Sequence, residues 1–202
     1  MEPFTRLSAI AAPIDQANVD TDRIIPARFL RKPRSGGYGG FLFHDVRFNA
    51  DGSEVPDFIL NRSPYREARI LVTDRNFGCG SSREGAVWAL TDYGIRAVIA
   101  PSFGDIFFNN CFKSGLLPVV LGEEVVTDFR RALRQAPEAR ISIDLDAETL
   151  VGPDGTRHRM EIDPFHKHCL QHGLDEIGLT LTHADAILAF ETRSEAERPW
   201  LS

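Results

Sequence analysis

The sequence predicts an α/β fold with a mainly parallel central sheet flanked by helices. Three apolar runs carry that prediction: Ala68-Arg69-Ile70-Leu71-Val72-Thr73, Arg96-Ala97-Val98-Ile99-Ala100 and Leu116-Leu117-Pro118-Val119-Val120-Leu121. Each is short and continuous, the pattern of a strand buried on both faces. Helices fill the intervals. Within Arg83 to Tyr93, residues Ala86, Ala89, Leu90 and Tyr93 recur at i, i+3, i+4 and i+7, which gives one apolar face. Phe103 to Phe112 reads as a shorter helix ended near Gly115. This β-α-β-α-β order implies right-handed crossovers and parallel neighbours.

The flanking segments are read in turn. Residues 7–14 form a short strand ending near Pro13. Residues 15–26 hold Asp15, Asn18, Asp20 and Asp22 and read as a loop, either a solvated turn with an Asx cap or part of a site. Residues 31–40, Arg-Lys-Pro-Arg-Ser-Gly-Gly-Tyr-Gly-Gly, cannot be the interior of a stable helix or strand. They form either a plain surface loop or a mobile lid carrying Arg34 over an anionic substrate, and mobility is expected both ways. Residues 41–66 read as irregular with short packed pieces. A helix is expected over 123–136 and a strand over 141–145. A hairpin should then turn at Gly152-Pro153-Asp154-Gly155 and return over 157–162. Helical pieces near 164–172 and 182–192 and a charged tail from Arg193 close the chain.

Composition narrows the function. The 202 residues suffice for one large domain, and with neither internal repeat nor low-complexity linker, residues 1–202 are read as a single domain. Apolar residues at 43% and charged residues at 26% suit a soluble globular protein. The net charge of −6 argues against a nucleic-acid partner. Apolar runs are too short to span a membrane, and the N-terminus lacks the basic-then-apolar order of a secretory signal. The three cysteines, Cys79, Cys111 and Cys169, lie far apart. That spacing argues against a disulfide framework and fits the reducing cytoplasm. It also argues against an iron–sulfur cluster or structural zinc held by this chain unaided.

The chemistry concentrates in Asn76-Phe77-Gly78-Cys79-Gly80-Ser81-Ser82-Arg83-Glu84-Gly85-Ala86. Strand, glycine loop and helix follow one another there, at the carboxyl end of a strand where ligands of parallel sheets sit. Gly78 and Gly80 permit positive φ. Ser81 or Ser82 can cap the helix, and the remaining first-turn N–H groups and the helix dipole favour an anion. Arg83 adds a planar fork suited to carboxylate or phosphate. A plain capped turn is the alternative. The stretch matches neither the Walker nor the dinucleotide-binding pattern. His168 and His172, at i and i+4 near His166 and Cys169, could form a metal patch, although no fourth ligand is obvious.

Several segments together resemble a known family. They are Asn18-Val19-Asp20-Thr21-Asp22-Arg23-Ile24-Ile25-Pro26, Phe77 to Glu84, Trp88 to Gly94, Val98 to Phe103 and Gly173 to Leu181. Over roughly residues 4–190 the chain resembles the small subunit of 3-isopropylmalate dehydratase, a family related to the mobile C-terminal domain of aconitase. The resemblance implies one swivelling-type β/β/α domain with a C-terminal hairpin and helices. It implies a leucine-pathway hydro-lyase, active only with its large subunit, that interconverts 2-isopropylmalate and 3-isopropylmalate through 2-isopropylmaleate. A [4Fe–4S] cluster would be carried by that large subunit as a Lewis acid, with none bound by this chain.

By the same resemblance, Ser81 matches the serine that removes the carbon-bound proton as an alkoxide. Ser82 and Arg83 match contacts to a small dicarboxylate substrate. Asp22, with Thr21 beside it, matches the active-site Asp-Thr-Asp loop. Arg34 falls where a further substrate-binding arginine is expected. A serine is a poor base at its ordinary pKa, so it needs a field such as a helix N-terminus and Arg83 supply. Nothing in this chain could accept the leaving hydroxyl, which calls independently for a partner. Cys79 reads as packing, because no histidine stands near it in sequence.

The chain departs from the family pattern at Gly85, where histidine is usual, and at Val87, where proline is common. Glycine in a first helical turn costs up to about 1 kcal/mol against alanine, so something local must favour it. Two alternatives follow: a related hydratase subunit for another small diacid, of citraconate or (R)-2-methylmalate type, and a non-catalytic anion-binding module.

Overall fold

The computed structural model describes residues 1–198 and 200. In chain order the elements are β1 (Arg6–Pro13), α1 (Thr21–Ile24), α2 (His44–Arg47), β2 (Ile70–Val72), α3 (Glu84–Tyr93), β3 (Ala97–Ala100), α4 (Asp105–Lys113), β4 (Leu117–Val120) and α5 (Glu123–Gln135). There follow β5 (Arg140–Asp144), β6 (Thr149–Val151), β7 (Arg157–Arg159), α6 (Pro164–His172), α7 (Glu176–Leu181) and α8 (Ala184–Glu197). The strands form one sheet in the order β4-β3-β2-β1-β5-β6-β7. β2, β3 and β4 run parallel, as expected, each stepping one place outward, and β1 joins them as a fourth parallel strand beside β2. β5, β6 and β7 extend the other side of β1 antiparallel; the expected turn at 152–155 joins β7 to β6, a strand the sequence does not suggest, rather than to β5.

The apolar runs β2 and β3 lie inside the sheet, buried on both faces, and the third, β4, forms its edge. Leu71, Val98 and Ala100 pack into a core shared with α3, with Phe107 and Cys111 of α4, and with the irregular stretch before β2. Ile70, Val72, Ala97 and Ile99 alternate to the opposite face and meet Val126, Phe129 and Leu133 of α5. Each such side chain, fully removed from water, contributes roughly 1.5–3 kcal/mol of apolar transfer free energy.

Two segments read as loops contain short turns of regular structure. Residues 15–26, read as a loop, contain the single turn α1, whose Asp20 cap accepts the Arg23 N–H at 2.7 Å. Residues 31–40 contain the 3₁₀ turn Arg34–Gly36 and lead into another at Gly39–Phe41. Tyr38 and Gly39 are buried there while Arg31 to Gly36 are exposed. Among the described residues no helix is long and apolar enough to cross a membrane.

Candidate active site

The carboxyl ends of β1, β2 and β3 open at one edge of the sheet, and the loops that leave them keep the strand order. Cys79 bridges Asp20 on one side and Phe77 bridges Phe103 on the other, both in parallel sense. The Gly78 N–H donates to the Val19 carbonyl at 2.7 Å, and the Thr21 N–H to the Cys79 carbonyl at 3.0 Å. The Phe77 N–H donates to the Ser102 carbonyl at 3.1 Å. Gly78 sits at φ +73°, and a Cβ there would lie 2.2 Å from the Phe107 ring, so both backbone and space demand glycine. The side chains of Asn76 and Asn18, both at positive φ, join the two loops at 2.8 Å.

Arg130 of α5 ties the bases of the same loops. Its side chain is 9% exposed, and Nη1 lies 3.2 Å from Asp15, just beyond β1, and 2.9 Å from Asp74, just beyond β2. Sequence reasoning missed Arg130, because an arginine in an amphipathic helix reads as a surface residue. The nearest signal was the aspartate that follows each of the two strands.

Thr21 is buried, and its hydroxyl donates to the Ser81 carbonyl at 2.9 Å. That bond fixes the backbone of Ser81 against α1. Ser81 and Ser82 are themselves exposed. The expectation that one of them caps α3 is corrected: the capping residue is Arg83, at φ −132° and ψ 98°, with no side-chain cap bond. Once Arg83 takes the extended cap conformation, both serines fall outside the helix and cannot reach its first-turn N–H groups as a cap would. The uncapped first turn therefore keeps its partial positive charge at the serine loop.

Arg83 is largely buried, its side chain 16% exposed, and it forms an ion pair with the half-exposed Asp22. The Arg83 guanidinium holds the Asp22 carboxyl below its ordinary pKa, with help from the Ala27 N–H, which donates to Asp22 Oδ1 at 3.3 Å. The structure thus brings together Thr21, Asp22, Ser81 and Arg83, with Ser82 in the same loop. Arg34 lies elsewhere, stacked 4.4 Å over the Trp88 ring and 3.5 Å from Asp92.

Gly85 has the local cause that its helical position called for. It is buried, and a Cβ there would lie 2.5 Å from Leu30 Cδ2 and 3.5 Å from the Tyr38 ring. The missing side chain is the slot into which Leu30 packs.

The thiols are quiet. Burial, and then the charge of Asp20, pushes the Cys79 pKa up, and complete burial pushes Cys111 well above its ordinary value. His166 stacks flat on Phe112 at 4.1 Å, and the His168 and His172 rings lie 4.2 Å apart. Among the described residues no group of three or more His, Cys, Asp or Glu is placed to hold a metal ion. The donor set of the described residues, with its three thiols far apart in sequence, does not fit an iron–sulfur cluster or the metal patch that the histidines suggested.

A family model described as the aconitase C-terminal domain matches residues 1–124, and one described as the C-terminal domain of the 3-isopropylmalate dehydratase small subunit matches residues 176–202. A protein of Gluconacetobacter diazotrophicus named 3-isopropylmalate dehydratase small subunit is 54% identical, over 99% of this chain and 97% of its own length. A protein of the same name from Jannaschia is 53% identical over the full length of both. Among solved structures, 3-isopropylmalate dehydratase of Methanocaldococcus jannaschii superposes with a TM-score of 0.65 at 27% identity, covering 92% of this chain and 99% of its own.

Proposed function

We propose a function on one premise: this chain belongs to the family of 3-isopropylmalate dehydratase small subunits. It is the small subunit of a heteromeric hydro-lyase that isomerises 2-isopropylmalate and 3-isopropylmalate through 2-isopropylmaleate, in leucine biosynthesis. Its partner is a large subunit. The [4Fe–4S] cluster is assigned to that partner, since this chain's donor set does not fit one, and chemistry at the leaving hydroxyl falls to the partner.

Within this chain the reading gives Ser81 the carbon-bound proton. The observation that carries it is the convergence of the two loops: Thr21 holds the Ser81 carbonyl while Arg83 and Asp22 pair beside it. An alkoxide at Ser81 would stand before an uncapped helix N-terminus and next to a guanidinium, and both favour negative charge. Arg83 and Ser82 bind a substrate carboxylate. Asp22 keeps the Arg83 fork oriented until the carboxylate arrives, and Arg34 binds the substrate's second charged end. The same reading takes residues 1–202 as one cytoplasmic domain whose segment 31–40 moves, with neither nucleic acid nor membrane as partner.

The test is an ultraviolet assay of alkene formation under anaerobic conditions. This chain, mixed with the cluster-loaded large subunit from the same source, is offered 3-isopropylmalate, (R)-2-methylmalate, malate and citrate. Turnover of 3-isopropylmalate above the others is expected. Preference for a smaller diacid would instead make Gly85, with Leu30 in its slot, the mark of a hydratase for that substrate. Failure on all four by an assembled complex with an intact cluster would contradict the reading.

A further inference from the structure

We propose that Asp92 is a positioning residue that parks Arg34 away from the substrate site. The inference rests on the reading that Arg34 binds substrate. Glu84, Trp88 and Asp92 recur at i, i+4 and i+8, so they form one stripe along α3. Arg34 lies on that stripe: its guanidinium stacks 4.4 Å above Trp88 and reaches Asp92 Oδ1 at 3.5 Å. The other oxygen of the same carboxylate, Oδ2, accepts the Tyr38 N–H at 2.8 Å.

One carboxylate therefore holds both the tip of the 31–40 segment and its return point. The return point is immobile for other reasons too. The buried Tyr38 hydroxyl donates to the Lys32 carbonyl at 2.8 Å, and a Cβ on Gly39 would lie 2.6 Å from the Asp92 carbonyl. The exposed tip, Pro33 to Gly36, is thus strapped by Tyr38 on both sides, through Lys32 and through its own N–H, with Arg34 as its clasp.

The clasp is on the wrong end of the helix for binding. Trp88, under the guanidinium, lies five residues beyond Arg83 and Asp92 nine, about 7 Å and about 13 Å along the axis at 1.5 Å per residue. Arg34 must leave Asp92 to meet the second charged end of a substrate whose first carboxylate is gripped by Arg83. The stripe itself offers the path, since Glu84 stands at the site end one turn beyond Trp88. Substrate binding then competes with the Arg34–Asp92 pair, and loosening that pair must tighten binding.

The experiment measures KM and kcat for 3-isopropylmalate in the assembled, cluster-loaded complex, with wild-type chain, Asp92→Asn, Arg34→Ala and the double variant. Asparagine keeps an oxygen for the Tyr38 N–H and removes only the charge that holds Arg34. Asp92→Asn should lower KM by up to about fivefold, the range of a partly exposed ion pair, with kcat unchanged. Arg34→Ala should raise KM, and adding Asp92→Asn to it should change nothing further. Trp88→Leu removes the stack by a second route and should also lower KM. If Asp92→Asn leaves KM unchanged or raises it while Arg34→Ala still raises it, the parking role is wrong and Arg34 remains a substrate contact. If Arg34→Ala changes neither constant, the reading of Arg34 as a substrate contact is what fails.

Discussion

Arg83 is paired with Asp22, and that pairing is measurable in this chain alone. The guanidinium lowers the Asp22 pKa, so the pair is intact above the ordinary carboxylate range and lost as pH falls through the lowered value. A carbon-13 NMR titration should place the Asp22 midpoint below the ordinary 3.8. In Arg83→Gln the midpoint should climb back toward the ordinary value; an identical midpoint in both proteins would mean that the pair does not form in solution. Arg83→Lys keeps the charge and loses the fork. Charge-assisted hydrogen bonds contribute about 1.5–3 kcal/mol, so this change should cost about tenfold or more in kcat/KM. Steady-state kinetics of the complex would check it, and wild-type constants would count against bidentate binding.

At the scale of elements, α3 shows why a helix keeps a glycine where alanine would be the better former. Two effects oppose each other in Gly85→Ala. Helix propensity gains up to about 1 kcal/mol, while a methyl 2.5 Å from Leu30 Cδ2 must push a packed side chain aside. The clash is with the end of a flexible chain, so denaturant unfolding should find Gly85→Ala within about 1 kcal/mol of wild type. In a Leu30→Ala background the same change should stabilise by up to about 1 kcal/mol, because only propensity remains. Destabilisation in both backgrounds would refute the slot. The helix itself was legible in the sequence, from Ala86, Ala89, Leu90 and Tyr93. Its cap was not, because three polar residues precede Glu84 and only the backbone angles of Arg83 decide which one closes the turn. Arg130 was illegible for a different reason: its burial depends on Asp15 and Asp74, which only the folded sheet brings to it.

The whole molecule divides at β1. Within the parallel half β2, β3 and β4 were legible because they read as continuous apolar runs with crossovers local in sequence, whereas the pairing of β1 with β2 spans a long connection and was not. The antiparallel extension was legible only as a hairpin. Nothing local in residues 6–13 says that β1 accepts β5 on its free edge, with Leu7 opposite Ile143 and Ala9 opposite Ile141. Long-range pairing of this kind follows from which edge is left open after β2, β3 and β4 have stacked outward. The glycine loop and the Asp-Thr-Asp turn, more than fifty residues apart, were each visible as motifs. Their meeting across Thr21 and Ser81 is a product of the β1–β2 pairing. The result is one cluster at one edge of the sheet, which the proposed function reads as the base and carboxylate grip of a site completed by a large subunit.

The most direct measurement is turnover of 3-isopropylmalate by the cluster-loaded large subunit assembled with Ser81→Ala. General-base groups typically contribute about 10²–10⁴-fold, so alkene formation should fall at least about a hundredfold while complex assembly and substrate affinity stay near wild type. Full turnover by that assembled variant would contradict the assignment of the proton to Ser81, and with it the role given to this chain.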